Sequence, residues 1–247
     1  VEDILASKIE ILSIPIWNVT MDEARDFVFQ RIQDGYGGMV ATANAEMVMQ
    51  ARTDQELHRI LQEADMVIPD GAGVLWAAEQ KGKKFKERVA GFDLACRLLR
   101  EAAADQTPVY LFGGAPGIAE AAAENSAKKF GALNITGIHS GFFTQEEEAH
   151  IIDEIRQTGT RILLVALGVP KQEKWIYQHI SELGPCMCIG VGGTLDVLAG
   201  KSERAPLWMQ RHRLEWLYRL LKEPSRFFRM MALPRFVAAV RLEKRSK

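Results

Sequence analysis

Cysteine is scarce in this chain of 247 residues, with only Cys96, Cys186 and Cys188 present. Three thiols in apolar settings, with Cys186-Met-Cys188 off zinc-ligand spacing, exclude a disulfide framework and a structural zinc site and fit a reducing cytoplasm. The five histidines (His58, His139, His150, His179 and His212) are scattered, and no Asp-x-Asp pair occurs. The sequence therefore predicts neither metal nor cofactor. No uncharged apolar run reaches the length of a membrane span, and the start of the chain lacks the basic flank and cleavage site of a signal peptide, so a chain that does not cross a membrane is expected. There is no internal repeat or low-complexity stretch. Without a Gly-x-Ser-x-Gly elbow, and with each cysteine in an apolar segment, covalent hydrolase chemistry lacks a nucleophile.

What is present is ordinary globular composition, 47% hydrophobic and 26% charged with 9 Pro and 20 Gly, which excludes a disordered chain, a collagen-like fibre and a rod. The net charge of −1 hides an asymmetry. Residues 201–247 carry 13 Lys+Arg against 4 Asp+Glu, and residues 1–200 carry 18 against 28. An acidic body is joined to a basic tail.

Strands are predicted at Lys8 to Ile14, Met39 to Thr42, Met66 to Pro69, Pro108 to Phe112, Asn134 to His139, Arg161 to Leu167 and Cys186 to Val191. Most are apolar runs without alternation, as in a parallel sheet covered on both faces. Helical segments lie between them, with capping-box signals at Thr20/Glu23 and Thr53/Glu56. This order predicts an α/β fold, a Rossmann-like three-layer and mostly parallel sheet over residues 1–200. A helical C-terminal appendage is expected over 201–247, cut by Pro206, Pro224 and Pro234 into three short pieces.

In an open parallel sheet, ligands bind at the carboxyl ends of the strands. Asp70, following Met66 to Pro69 with Gly71 and Gly73 beside it, either takes a proton from a sugar hydroxyl or caps the helix beginning near Gly73. Thr42 and Asn44 either orient a ligand or cap the helix beginning at Ala45, and Gln172 and Asp196 carry the same ambiguity. Gly113, Gly114 and Gly117 precede a helix predicted at Ile118 to Phe130. They either hold a phosphate or simply turn the chain. Their loop is not G-x-G-x-x-G and lacks the Lys-Ser/Thr of a P-loop, which weakens nicotinamide-oxidoreductase and ATPase readings. Gly193 lies in a second glycine turn. In the tail, arginines alternate with Trp, Phe, Leu and Met, more apolar than a phosphate-tracking arm requires, so a membrane surface is expected as partner rather than nucleic acid. A helical hairpin packed on the body, with a solvated arginine face, is the alternative.

The ordered segments TANAEM (42–47), PDGAGV (69–74), RVAGFDL (88–94), FGGAPG (112–117), GVPKQEKW (168–175) and GVGGTLDVLAG (190–200) resemble the WecG/TagA/CpsF family of bacterial glycosyltransferases across nearly the whole chain. The resemblance implies an inverting, metal-independent enzyme without cofactor. It would move a sugar from a UDP-sugar donor to an acceptor linked to undecaprenyl diphosphate, on the inner face of the cytoplasmic membrane. One branch of the family transfers N-acetylmannosamine for the wall teichoic acid linkage unit, while others use its uronic acid or glucose. By resemblance, Asp70 is the general base, Thr42 and Asn44 hold donor and acceptor groups, and Arg88 and Gln172 line the same pocket. Asp196 lies near the nucleotide, and Arg219, Arg226 and Arg229 serve the leaving group or membrane docking. A non-catalytic nucleotide-binding protein held at membranes by its tail is the other reading, and a homo-oligomer is left open.

Overall fold

The structure, a computed structural model, describes residues 7–212, 214–222 and 230–245. The chain opens with a hairpin of β1 (Lys8–Ile11) and β2 (Ile14–Trp17), followed by α1 (Met21–Gln33), β3 (Gly38–Ala43), α2 (Ala45–Ala51), α3 (Gln55–Glu63), β4 (Met66–Pro69) and α4 (Ala72–Gln80). Next come α5 (Gly91–Asp105), β5 (Val109–Gly113), α6 (Ile118–Phe130), β6 (Ile135–His139), α7 (Gln145–Gln157), β7 (Ile162–Ala166), α8 (Lys171–His179), β8 (Met187–Gly190) and α9 (Thr194–Leu198). Among the described residues, α10 (Leu207–Arg211), α11 (Glu215–Lys222) and α12 (Ala232–Arg245) follow.

Six strands pair in parallel in the order β4-β3-β8-β7-β5-β6, the expected α/β architecture. Side chains alternate across the sheet. Met39, Ala41, Leu163, Val165 and Phe112 face a layer built from α2, α3, α4, α7, α8 and α12. Val40, Ile68, Leu111, Leu164 and Ile189 face α1, α5, α6 and α9. Because both faces are covered, β3, β4, β5, β7 and β8 are buried along their whole length. Truncating a fully buried leucine such as Leu164 would cost about 2–5 kcal/mol.

Two local expectations are corrected. Lys8 to Ile14 is not one strand of the main sheet. The chain reverses at Leu12 and Ser13, both at positive φ, and β1 pairs antiparallel with β2 in a separate two-stranded sheet. The cap of α3 is Asp54, whose side chain accepts from Leu57 N, not Thr53; the Thr20/Glu23 box on α1 is present as expected. Pro234 stands where a helical piece begins, as expected, because it lies in the first turn of α12 after a turn at Met231, where backbone N–H groups have no intrahelical partner to lose. That last helix is also well seated. Phe236 and Val240 are fully buried against the body, and Glu243 pairs with Lys81 at 2.8 Å.

Helices that follow β3 and β7 lie on one face of the sheet, and those that follow β8 and β5 lie on the other. Crevices therefore open at the carboxyl edge between β3 and β8 and between β7 and β5.

Candidate active site

Asp70 follows β4 directly, its N–H donating to Ala43 O at 3.0 Å. The helix-capping alternative is not met, since the cap of α4 is Gly71 with no side-chain cap bond. The Asp70 carboxylate lies 3.6 Å from Arg88 Nη2, and Arg88 Nε donates to Asp70 O at 2.5 Å. Arg88 Nη2 also donates to Glu215 Oε2, at the start of α11, at 2.9 Å. Asn44 does cap α2, its Oδ1 accepting from Met47 N at 3.0 Å, yet it also lines a cavity of about 140 Å³ with Asp70 and Arg88. A Cβ on Gly71 would lie 2.8 Å from Asn44 Cβ. Only glycine lets the β3 and β4 loops meet so closely.

The same cavity also has an apolar part to its lining, from Trp216, Met230 and Leu233. On the other side of Asp70, Arg88 and Glu215 lies a smaller cavity of about 50 Å³, lined also by Thr42, Gly193, Thr194 and Arg204. Thr42 Oγ1 donates to Gly190 O at 3.1 Å and pins β3 to β8. Arg204 holds Asp93 through two bonds, at 2.5 and 2.7 Å. Its guanidinium lies over the Phe92 ring, 4.7 Å from the centroid, and 3.8 Å from Glu215. Among the described residues, Arg88 and Arg204 thus face Asp70, Asp93 and Glu215, two cations against three carboxylates.

A third and wider crevice, about 660 Å³, lies at the ends of β5 and β7 and is lined by Gly114, Phe142, Thr144, Leu167 and Lys171. Here the glycines serve packing first. A Cβ on Gly113 would fall 2.4 Å from Ala166 O, and the Gly114 N–H is taken by Ala166 O at 3.0 Å. Gly117 caps α6 at positive φ without a side-chain bond.

Gln172 is placed apart from the Asp70 cavities. It is 1% exposed, and its Oε1 accepts from Gly168 N at 3.2 Å and Gly192 N at 3.0 Å. Its Nε2 donates to Glu173 Oε1 at 2.7 Å. Asp196 sits in the first turn of α9 and lines neither cavity that holds Asp70. Arg226 and Arg229 lie outside the described residues, and of Arg219 only the backbone, within α11, is described.

Glu215 and Arg204 escaped sequence reasoning. Glu215 is one of only four acids in a tail that reads as basic, and its position at a helix start was the available signal. Burial pushes the thiols of Cys96 and Cys186 up, so neither offers a thiolate at neutral pH. Among the described residues, no group of three or more His, Cys, Asp or Glu side chains is placed to hold a metal ion, and no helix is long and apolar enough to cross a membrane.

The sequence profile of the Glycosyl transferase WecG/TagA/CpsF family matches residues 9–247. The chain is 33% identical over 210 residues to the N-acetylglucosaminyldiphosphoundecaprenol N-acetyl-beta-D-mannosaminyltransferase of Bacillus spizizenii strain W23, covering 85% of this chain and 81% of that protein. It is 28% identical over 238 residues to the protein of the same name from Bacillus subtilis strain 168, covering 96% and 92%.

Proposed function

The chain belongs to the Glycosyl transferase WecG/TagA/CpsF family, and on that premise we propose that it moves N-acetylmannosamine from a UDP-sugar to N-acetylglucosamine carried on undecaprenyl diphosphate, with inversion and without metal. The observation that carries this reading is the meeting of Asp70, Asn44 and Arg88 in one cavity at the carboxyl ends of β3 and β4. Asp70 is the base. It takes the proton of the acceptor hydroxyl as that oxygen bonds to the sugar C1 and the bond from C1 to the diphosphate breaks. Asn44 orients the acceptor, Arg88 and Thr42 face the diphosphate, and UDP departs with the bonding electrons.

The order of the crevices along the rim suits this path. The cavity with an apolar wall takes the lipid-linked acceptor, and the Thr42, Gly193 and Arg204 cavity takes the donor diphosphate. The glycine loop of Gly113, Gly114 and Gly117, with Asp196 on the other side of β7, lies toward the nucleoside. Since the described cluster carries three carboxylates for two guanidinium groups, developing charge on the leaving group needs further cations. We assign these to Arg219, Arg226 and Arg229.

We take residues 1–200 as the catalytic domain and 201–247 as the appendage that docks on the inner face of the cytoplasmic membrane. Exposed Leu207, Trp208 and Leu221 support that docking. The test offers several UDP-sugars with a lipid-diphosphate acceptor, in EDTA, and reads product mass and kcat. Wild type should give N-acetylmannosaminyl product. Asp70→Asn should lower kcat by about 100-fold or more while UDP binding is kept. Near-normal turnover by Asp70→Asn, or no product with any donor, overturns the reading.

A further inference from the structure

We propose that Glu173 is a positioning residue that acts through Gln172, fixing the distance between the crevice at the ends of β5 and β7 and the cavities that hold Asp70. This assignment rests on the transferase reading above.

The geometry is an internal clamp. One oxygen, Gln172 Oε1, accepts the N–H of Gly168 from the loop between β7 and α8 and the N–H of Gly192 from the loop between β8 and α9. The first loop continues into Leu167 and Lys171 of the wide crevice. The second continues into Val191, Gly193 and Thr194 of the small cavity beside Asp70 and Arg88. A primary amide can rotate so that nitrogen and oxygen exchange places, and the exchanged form would aim two N–H donors at two N–H donors. Glu173 forbids that exchange, because its Oε1 accepts from Gln172 Nε2 at 2.7 Å.

Both side chains are buried, at 1% and 0% exposure, where a lost partner is not replaced by water. The pair is also hemmed in from β8. A Cβ on Gly190 would lie 2.7 Å from Gln172 Nε2 and 3.1 Å from Glu173 Oε1. Glu173 Oε2 is buried without a hydrogen-bond partner among the described residues, an expensive arrangement for a charged oxygen. Burial accordingly pushes the Glu173 carboxyl up to about 7, so its neutral form is abundant near neutrality. Nothing in this arrangement touches the Asp70 cavities directly. A donor molecule, however, must reach both loops at once, whereas an acceptor seated against Trp216 and Leu233 need not. An unset clamp should therefore be felt by the donor.

The experiment compares Glu173→Ala, Glu173→Gln and Gly190→Ala with wild type in the full chain, reading UDP affinity by calorimetry and the KM of donor and acceptor separately. Glu173→Ala should weaken UDP binding and raise the donor KM by 10-fold or more, with the acceptor KM within 2-fold. Glu173→Gln keeps an acceptor oxygen for Gln172 and should restore both to within 3-fold of wild type. Gly190→Ala overfills the site that Glu173→Ala empties, so the two share no packing defect, yet it should give the same donor-selective loss. A purely structural role would lower the active fraction and leave both KM values unchanged. That result, or a Glu173→Gln variant as impaired as Glu173→Ala, overturns the proposal. Failure of wild type to bind UDP would instead overturn the transferase reading.

Discussion

Arg88 Nη2 donates to Glu215 Oε2 at 2.9 Å, and the contact joins the loop before α5 to a helix 127 residues further along the chain. The same guanidinium faces Asp70 at 3.6 Å, so on the proposed mechanism a carboxylate of the tail occupies the cation that would face an incoming diphosphate. Removing it should act oppositely on stability and on ligand affinity. Glu215→Gln should destabilise by about 1–3 kcal/mol, as expected for a partly buried charge pair that loses one member, while tightening UDP binding several-fold. Thermal melting and calorimetry on one preparation check both signs. Weaker UDP binding would make Glu215 part of the binding surface rather than a competitor for Arg88.

Asn44 has two duties that can be separated, because capping uses its oxygen and the cavity meets the rest of the amide. Asn44→Asp keeps an acceptor for Met47 N and adds negative charge at a helix start, so the melting temperature should hold or rise. A further carboxylate in the Asp70 cavity, beside Asp70 itself, should nevertheless reduce kcat by about 10-fold or more by disfavouring the ionised base. Asn44→Ala should lose about 1 kcal/mol of stability with the cap, as well as activity. Equal activity in Asn44→Asp and wild type would leave Asn44 as a cap alone.

How far the sequence could be read depended on whether a feature was local. Strands buried on both faces announce themselves as unbroken apolar runs, and the residues at or just past their carboxyl ends, Thr42, Asn44, Asp70 and Gly193, arrive at one edge by topology. The hairpin at Lys8–Trp17 was hidden because its turn uses Leu12 and Ser13 at positive φ, where the usual signal is Asn-Gly or Asp-Gly. Gln172 stands just past a strand like the others, but its side chain points inward to bind backbone amides, and position alone does not separate a rim residue from the brace beneath it. Glu215 and Arg204 join the site only through the path of the tail, a long-range relationship that no local pattern carries.

Buried Glu173 should give the protein a pH-dependent stability of its own. Burial raises its folded pKa from 4.5 to about 7, against a smaller opposing effect of the Gln172 hydrogen bond. Between those values the folded state binds more protons than the unfolded state, so stability falls as pH rises through the window. The contribution is fully present below about 4.5 and lost above about 7, with a span on the order of 3 kcal/mol. Urea unfolding of wild type and Glu173→Gln from pH 4.5 to 8 checks it. The difference between the two curves should shift by this amount in favour of Glu173→Gln toward pH 8, and parallel curves would show that the carboxyl stays ionised.

The exposed apolar residues of α10 offer a test of docking that is separate from folding. Leu207 is 69% exposed and Trp208 58% exposed, so replacing both with Ser removes little packing and should change stability by less than about 0.5 kcal/mol. If this face enters the boundary of an anionic bilayer, each side chain contributes apolar burial on binding, and the neighbouring basic residues add about 1 kcal/mol apiece at low salt. Leu207→Ser with Trp208→Ser should then reduce binding to vesicles of anionic phospholipid by about 10-fold or more, and raising ionic strength should weaken what remains, because screening acts on the charges and not on the apolar contact. Turnover of a membrane-embedded acceptor should fall with binding, while turnover of a short water-soluble acceptor analogue should not, since α10 contributes no residue to the cavity that holds Asp70 and Asn44. Equal loss on both acceptors would place these side chains in catalysis rather than at the bilayer.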